Sequence, residues 1–273
     1  MTNATNTHPL DLAVRLDPGA DGSFAGKTHP AYGNMVGPFG GLIAATLLNA
    51  AMAHPARIGD PLALTVNFTA PIADGTFSVE AIPVRTNRST QHSTIALLQG
   101  GEVVITATAV FAKRRDTWST TESGFPEAPS WDTLTRSPPI DGIAWTHRYD
   151  MRFARGGRSD VGNPAGDPSS VSSLWVRDCP PRPLDFLSLT AICDVFYPRI
   201  FVRRPRIVPV GTVSMTVYFH ADAELLLAQG TRPVLATARA SHFGKGYHDQ
   251  VAEIWSKDGI LLASSHQIVY FKE

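Results

Sequence analysis

The chain has few cysteines and no excess of charge of either sign. Its 273 residues include 24 Lys and Arg against 24 Asp and Glu, so the formal net charge is +0 at pH 7. Non-specific nucleic-acid binding needs a broad positive field, which this balance excludes. The two cysteines, Cys179 and Cys193, lack metal-ligand spacing. Because Cys193 lies in an apolar run typical of a buried thiol, we expect both thiols to be free and the location to be cytoplasmic.

The chain also lacks a segment that could span a membrane. Residues 1–10 are polar, with no apolar core after a basic start, so no secretory signal is visible. The longest apolar stretches, 42–53 and 187–196, are well short of the roughly 20 residues that cross a bilayer. We therefore expect no membrane partner. The length predicts one large domain or two small ones.

Several enzyme signatures are missing as well. The sequence has no His-Glu-x-x-His zinc motif, no Gly-x-Ser-x-Gly nucleophile elbow and no Walker phosphate loop. Three histidines gather toward the C-terminus, at His242, His248 and His266. Asp249 could join them, but the turn-like residues 244–246 interrupt any regular ligand spacing. We predict no metal site.

What the chain does contain is a helix followed by strands. Residues 39–53 are rich in Ala and Leu after a glycine pair, and the length of this run favours a buried helix. Runs of β-branched and aromatic residues separated by turn residues come next and predict a meander of strands at 62–70, 76–86, 90–99 and 102–112. One helix against an antiparallel sheet is an α+β layer.

The same pattern returns after residues 114–144, where periodicity disappears and prolines prevent any long helix. We interpret this stretch as a linker. A second helix is predicted at 184–196, and the predicted strands of the second half are 148–153, 171–177, 210–220, 233–242, 249–256 and 260–271. Residues 65–70, Thr-Val-Asn-Phe-Thr-Ala, match residues 216–221, Thr-Val-Tyr-Phe-His-Ala. Two copies of one α+β unit are therefore predicted.

Four short segments, taken in order and spacing, carry a family resemblance. They are Phe39-Gly-Gly at the first helix, Ser173-Leu-Trp-Val-Arg177 before the second, Val217-Tyr-Phe-His220 on a strand, and the ending Gly259-Ile-Leu-Leu-Ala-Ser-Ser-His-Gln267. Together they resemble double-hotdog acyl-CoA thioesterases of the thioesterase II type. The resemblance implies a tandem double hotdog of class α+β, with two antiparallel sheets each wrapped around a central helix. The units would be residues 1–115 and 146–273, joined by a linker at 116–145.

The resemblance also implies an activity and its residues. The expected reaction is hydrolysis of a fatty acyl-CoA or related thioester, a small-molecule substrate, without a metal or organic cofactor, so that coenzyme A enters only with the substrate. The family's Asp, Thr and Gln triad corresponds to Asp194, Thr212 and Gln267. Their first-half counterparts under the repeat are Asn49, Pro61 and Ala109. The triad exists once, which predicts one catalytic site per chain.

The residues can also be weighed without the family. In the predicted helix at 184–196, burying the Asp194 carboxylate without a partner would cost free energy. Two interpretations are open: the carboxylate is a general base that acts on water, or it faces solvent or accepts a local hydrogen bond. Gln267 falls in period with apolar residues, so its amide needs a polar partner, from the site or from the backbone at a bulge. Strict alternation places Thr212 with Ser214 and Thr216, away from Met215, where its hydroxyl would be exposed.

Backbone and basic groups are further candidates. The amides of Gly40 and Gly41, at the start of the first helix, could bind a developing oxyanion, or the glycines could serve close packing or a turn. The basic clusters 203–206 and 113–115 could meet the phosphates of coenzyme A or lie in solvated loops.

Two other functions remain open. A protein that binds acyl-CoA or another hydrophobic ligand without catalysis would keep the fold and the cavity. A hydratase or dehydratase on the same fold would need a His on a central helix, and neither 42–53 nor 187–196 contains one. A homodimer is possible because exposed sheet faces often pair, although two tandem units make a monomer feasible.

Overall fold

The computed structural model describes residues 7–19, 22–157, 167–204, 206 and 208–273. In these residues thirteen strands form one antiparallel sheet. The strands are β1 (Asp17–Pro18), β2 (Phe24–Lys27), β3 (Asp60–Phe68), β4 (Thr76–Thr86), β5 (Thr90–Gln99), β6 (Glu102–Ala112), β7 (Tyr149–Arg155), β8 (Ser172–Asp178), β9 (Val210–Phe219), β10 (Val234–Arg239), β11 (Phe243–Gly244), β12 (Tyr247–Trp255) and β13 (Leu261–Phe271). The α-helices are α1 (Pro9–Ala13), α2 (Gly40–Ala53), α3 (Phe186–Ile192), α4 (Arg199–Arg203) and α5 (Ala223–Gln229).

The strand order is β1-β2-β4-β5-β6-β3-β9-β13-β12-β10-β8-β7, with β11 pairing with β12. The first half of the chain thus supplies one side of the sheet and the second half the other, in corresponding orders. The predicted helix-and-sheet pattern is present in both halves. The predictions omitted the short elements β1, β2, β11, α1, α4 and α5. No helix in the described part of the chain combines the length and apolarity that a bilayer crossing requires.

The two halves join where β3 pairs with β9. In that register Thr65 lies opposite Thr216, and their Oγ1 atoms are 3.0 Å apart, within hydrogen-bond distance. These are the same two threonines that the sequence repeat matches. Equivalent residues that face each other across antiparallel strands lie on a local two-fold axis. The internal repeat is therefore visible as symmetry at the centre of the sheet.

The central helix α2 is buried along most of its length. It has no polar face toward solvent, since Leu42, Leu47 and Leu48 are all at most 1% exposed. An α-helix that is apolar on all sides belongs in a core. Here the core lies between α2, α3 and the face of the sheet that packs on them.

The second central helix is shorter than predicted. Asp185 caps its first turn by accepting a hydrogen bond from the Ser188 N–H at 2.8 Å, and α3 ends at Ile192 rather than continuing to residue 196. The Asp194 N–H bonds to the Ala191 carbonyl at 3.1 Å, which is the tighter turn common at helix ends. Asp194 therefore follows α3 instead of lying within it, and the prediction that placed it in the helix is wrong on this point.

A buried carboxyl ties α3 to the sheet. The Ser188 Oγ donates to Asp178 Oδ2 at 2.5 Å, and the Asp178 side chain is buried at the end of β8. Burial raises the pKa of Asp178 to about 7, although the Ser188 hydrogen bond and the Arg182 charge favour the anion. The folded protein thus retains a proton here at pH values where the unfolded chain has lost it.

The stability of the fold is predicted to fall as the pH rises from about 4 to about 7. The folded-state pKa of Asp178, about 7, lies above the usual 3.8. The stabilisation from the bound proton is therefore full below pH 3.8 and is lost as the pH rises through 7. Its magnitude is up to roughly 4 kcal/mol. Asp178→Asn keeps an acceptor for Ser188 and should remove this component. Urea denaturation of both proteins at several pH values measures the difference, and parallel pH profiles would contradict the assignment.

Candidate active site

A cleft with two lobes opens between the halves of the molecule. The lobes have volumes of about 280 Å³ and about 350 Å³. Residues that line both lobes mark the junction between them: Asn34, Met35, Asp194, Val210, Gly211 and Thr212. Gln267 lines the first lobe and Gly40 the second. The predicted polar residues are thus gathered along one cleft.

Asp194 lies at the junction of the lobes and is half-buried. The Gln267 Nε2 donates to its Oδ1 at 2.9 Å, and the Gly41 N–H donates a hydrogen bond to the same carboxylate. Gly41 is in the first turn of α2, where the helix dipole is positive and favours a negative charge. The carboxylate therefore has partners from both halves of the chain.

The surroundings of Asp194 have two opposing effects on its pKa. Burial raises the pKa of Asp194 to about 6, while the hydrogen bonds from Gln267 and Gly41 act in the opposite direction. A carboxylate with such a pKa is ionised at neutral pH and is a stronger base than an ordinary aspartate. This is the protonation behaviour that general-base catalysis uses.

Gln267 is buried on β13, opposite Met215 of β9. Besides Asp194, its Nε2 lies 3.4 Å from the Cys193 carbonyl oxygen and 3.4 Å from the Met215 Sδ. The amide has the polar partner that its place on an apolar face demands, and that partner is a carboxylate rather than backbone alone. Gln267 thereby holds the orientation of Asp194.

Thr212 reaches the cleft because of a bulge. Ser214 pairs with Ile268 but Thr212 pairs with Val269, so Val213 is an extra residue in β9. One extra residue reverses the side-chain alternation beyond it. Thr212 therefore shares the face of Met215 and lines the cleft, while Val213 is 38% exposed. The prediction from strict alternation, that the Thr212 hydroxyl faces away, is wrong.

The two glycines allow a close approach at the start of α2. A Cβ on Gly40 would lie 2.9 Å from Asp194 Oδ2, and one on Gly41 would lie 2.6 Å from the Ala191 carbonyl oxygen. Any larger residue at either position would displace α3 or the carboxylate. The Gly41 amide is engaged by Asp194, whereas Gly40 lines the second lobe.

The other candidates lie outside this cluster. The Arg114 guanidinium donates to the carbonyl oxygens of Pro61 and Phe219, and Arg204 forms an ion pair with Glu273 at 3.3 Å. Pro205 of the basic cluster and residues 1–6 of the polar N-terminal segment are outside the described residues. Asp249 accepts hydrogen bonds from the backbone N–H groups of Ser241 and His242. Across the described residues, no three His, Cys, Asp or Glu side chains form a group that could hold a metal.

Some residues of the cleft were missed by the sequence reasoning. Ile140, Ile143 and Trp145 line the first lobe, although all three lie in the predicted linker at 116–145. Trp145 stacks on Phe39 with ring centroids 4.4 Å apart. Large apolar residues in an otherwise polar, proline-rich stretch were the available signal.

Comparison with known proteins supplies the family. A family model of the acyl-CoA thioesterase C-terminal domain matches residues 121–271, and one of the acyl-CoA thioesterase N-terminal domain matches residues 29–112. The chain belongs to the acyl-CoA thioesterase family. This thioesterase is accordingly a thioester hydrolase, as the resemblance in the sequence implied. A search of curated proteins finds no significant match.

Solved structures of related proteins show the same fold. A hot dog fold protein of unknown function from Alicyclobacillus acidocaldarius is 49% identical, covers 98% of this thioesterase and 99% of its own chain, and has a TM-score of 0.92. The tesB protein of Mycobacterium avium subs paratuberculosis is 18% identical, with coverage of 97% and 98% and a TM-score of 0.78. Acyl-CoA thioesterase II TesB2 of Mycobacterium marinum is 18% identical, with coverage of 96% and 98% and a TM-score of 0.73. The predicted tandem hotdog fold is confirmed, with the difference that the two predicted sheets are joined into one by the pairing of β3 with β9.

The contact between Gln267 and Asp194 leads to a prediction about ionisation. Gln267→Met keeps a side chain of similar length but removes the N–H donor that stabilises the carboxylate. The pKa of Asp194 should then rise further above 6, as followed by ¹³C NMR titration of labelled aspartate. Gln91→Met is the matched control, because the Gln91 amide is also buried but bonds to the Ala56 carbonyl. An unchanged midpoint in Gln267→Met would show that the hydrogen bond does not tune Asp194.

Proposed function

We propose that this thioesterase hydrolyses acyl-CoA by attack of a water molecule that Asp194 deprotonates. The observation that carries the proposal is the Asp194 carboxylate itself. It is held by Gln267 at 2.9 Å and by the Gly41 N–H, and it lies at the junction of two lobes, the first of which is lined mostly by apolar side chains. A base whose orientation is fixed beside an apolar lobe is suited to activating a bound water.

The proposed reaction has two steps. In the first, Asp194 takes a proton from water while the water oxygen bonds to the thioester carbonyl carbon, and the carbonyl oxygen becomes an oxyanion. In the second, the oxyanion reforms the carbonyl, the carbon–sulfur bond breaks, and the proton passes from Asp194 to the coenzyme A sulfur. The products are a carboxylic acid and a thiol. The two steps together consume one water molecule and leave Asp194 ionised for the next turnover.

The neighbouring residues divide the remaining work. The Thr212 hydroxyl lines the junction and is proposed to position the water, with Gln267 holding the carboxylate in place. Gly40 and Gly41 begin α2, whose positive end favours a developing oxyanion. Since the Gly41 N–H bonds to Asp194, we assign the contact with the substrate oxygen to Gly40 and the support of the base to Gly41.

The proposal uses no metal and no organic cofactor, and coenzyme A takes part only as the leaving group. A homodimer, a cytoplasmic location and the unit boundaries at 115 and 146 stay predictions from the sequence.

The decisive variant is Asp194→Asn, which keeps the shape of the side chain and removes the base. Its kcat for acyl-CoA hydrolysis should fall by at least about 10²-fold, while KM and the melting temperature stay near the wild-type values. Asp249→Asn is the control, because Asp249 is a partly buried carboxylate outside the cleft. Release of the thiol, followed with a thiol-reactive dye, measures the rate.

The pH profile gives an independent check. Because the ionised form of Asp194 is required, kcat/KM of the wild type should rise with pH and level off above its pKa of about 6. Full activity of Asp194→Asn would remove the residue from the mechanism. Saturable binding of acyl-CoA without turnover in the wild type would instead favour the non-catalytic ligand-binding alternative.

A further inference from the structure

We propose that the first lobe holds the acyl group and selects a single aromatic ring on a short spacer over a long alkyl chain. The inference rests on the proposed function, since it assigns one lobe to the acyl side of the thioester and the other to the coenzyme A side. Asp194 lies at the junction, so the thioester carbonyl must be there and the two arms of the substrate must diverge into different lobes.

The first lobe is apolar away from the junction. Its polar side chains are Asn34, Asp194, Thr212, Gln267 and the Tyr197 phenol. The first three line both lobes, and Gln267 is bonded to Asp194. Beyond the reacting carbonyl, therefore, a substrate in this lobe meets almost only carbon, which suits an acyl group and not the amides of pantetheine.

The walls of the first lobe are largely aromatic. The rings belong to Phe39, Trp145, Phe196, Tyr197 and Phe201. Aromatic rings pack on one another in stacked or edge-to-face pairs that gain about 0.5–1.5 kcal/mol beyond the buried area. An alkyl chain cannot make these contacts, so the lining favours a ring.

These walls are also held in place. Phe39 stacks on Trp145 with an interplanar angle of 13°, and the Trp145 Nε1 donates to Asn34 Oδ1 at 3.3 Å. Tyr149 packs edge-on against both rings from behind, at 6.1 Å and 6.0 Å between centroids. A wall fixed by several contacts selects by shape, because it does not give way to a bulkier guest.

The size of the lobe points the same way. A dry apolar cavity of about 150 Å³ holds one benzene ring. At about 280 Å³, the first lobe has room for a ring, a short spacer and the thioester carbonyl. A palmitoyl chain contains twice as many carbon atoms as a phenylacetyl group and would leave much of its length outside.

The second lobe suits the coenzyme A arm. It is lined by Gly40 and by the loop 69–71. The Thr69 and Ala70 N–H groups of this loop donate to the Val104 carbonyl, so the loop offers its carbonyl oxygens as acceptors for the amide N–H groups of pantetheine. Tyr270 lines this lobe and not the first, and the ammonium of the exposed Lys272 lies 5.8 Å from the centre of its ring. A cation at this end is placed to meet phosphate.

The test compares two substitutions of equal chemistry in different lobes. Ile143 lines only the first lobe and Val36 only the second, and both are replaced by tryptophan. Values of kcat/KM are measured for acetyl-CoA, phenylacetyl-CoA and palmitoyl-CoA. The wild type should prefer phenylacetyl-CoA to palmitoyl-CoA by at least about tenfold, and Ile143→Trp should lose about tenfold on phenylacetyl-CoA while retaining acetyl-CoA hydrolysis.

Val36→Trp should lower all three values alike, because every substrate carries the same coenzyme A arm. A wild-type preference for palmitoyl-CoA would overturn the inference. So would an Ile143→Trp variant whose ranking of the three substrates matches that of the wild type.

A binding measurement separates this inference from the proposed function. The thioether analogues of phenylacetyl-CoA and palmitoyl-CoA, in which a methylene replaces the carbonyl, are titrated calorimetrically into the wild type and both variants. If no thioester is hydrolysed, the proposed function fails, but tighter binding of the phenyl analogue that is lost in Ile143→Trp still supports the assignment of the lobe. Equal binding of the two analogues would refute it.

Discussion

The cleft depends on the pairing of β3 with β9. Because Thr65 faces Thr216 across that pair, the two halves are related by a local two-fold axis. Their central helices, α2 and α3, pack against each other. The meeting point is close enough that a Cβ at position 41 would strike the end of α3. It brings the positive end of α2 to Asp194, a residue of the other half. The position of the carboxylate, its hydrogen-bond partners and the cleft around it all depend on the pairing of β3 with β9.

The parts that sequence could predict are those governed by local chemistry. Turns rich in Gly, Asn and Ser separate Thr76–Thr86, Thr90–Gln99 and Glu102–Ala112, and these strands agree with the prediction at both ends. The internal repeat could be predicted because residues 65–70 and 216–221, which begin on the paired strands β3 and β9, keep similar sequences. Asp194 and Gln267 stood out since a polar group on an apolar face requires a partner, and each has the other.

The parts that sequence could not predict depend on tertiary contacts. The end of α3 is one, because nothing local distinguishes the last helical residue from the turn that carries Asp194. The face of Thr212 is another, since the bulge at Val213 is a property of two paired strands and not of one. The aromatic wall is a third. Trp145 is the last residue of the predicted linker at 116–145, and it reaches the cleft through a tertiary contact, its stacking on Phe39.

The covalent connection between the halves has a consequence for concentration. In a site assembled from two separate chains, dilution removes the partner that completes it. Here the helix that supports the carboxylate and the strand that carries Gln267 belong to one molecule, so their effective concentration is set by the linker and does not change with the amount of protein. The first half is also released from carrying a carboxylate of its own. At the position that the sequence repeat aligns with Asp194, Asn49 instead donates a hydrogen bond to the Val14 carbonyl.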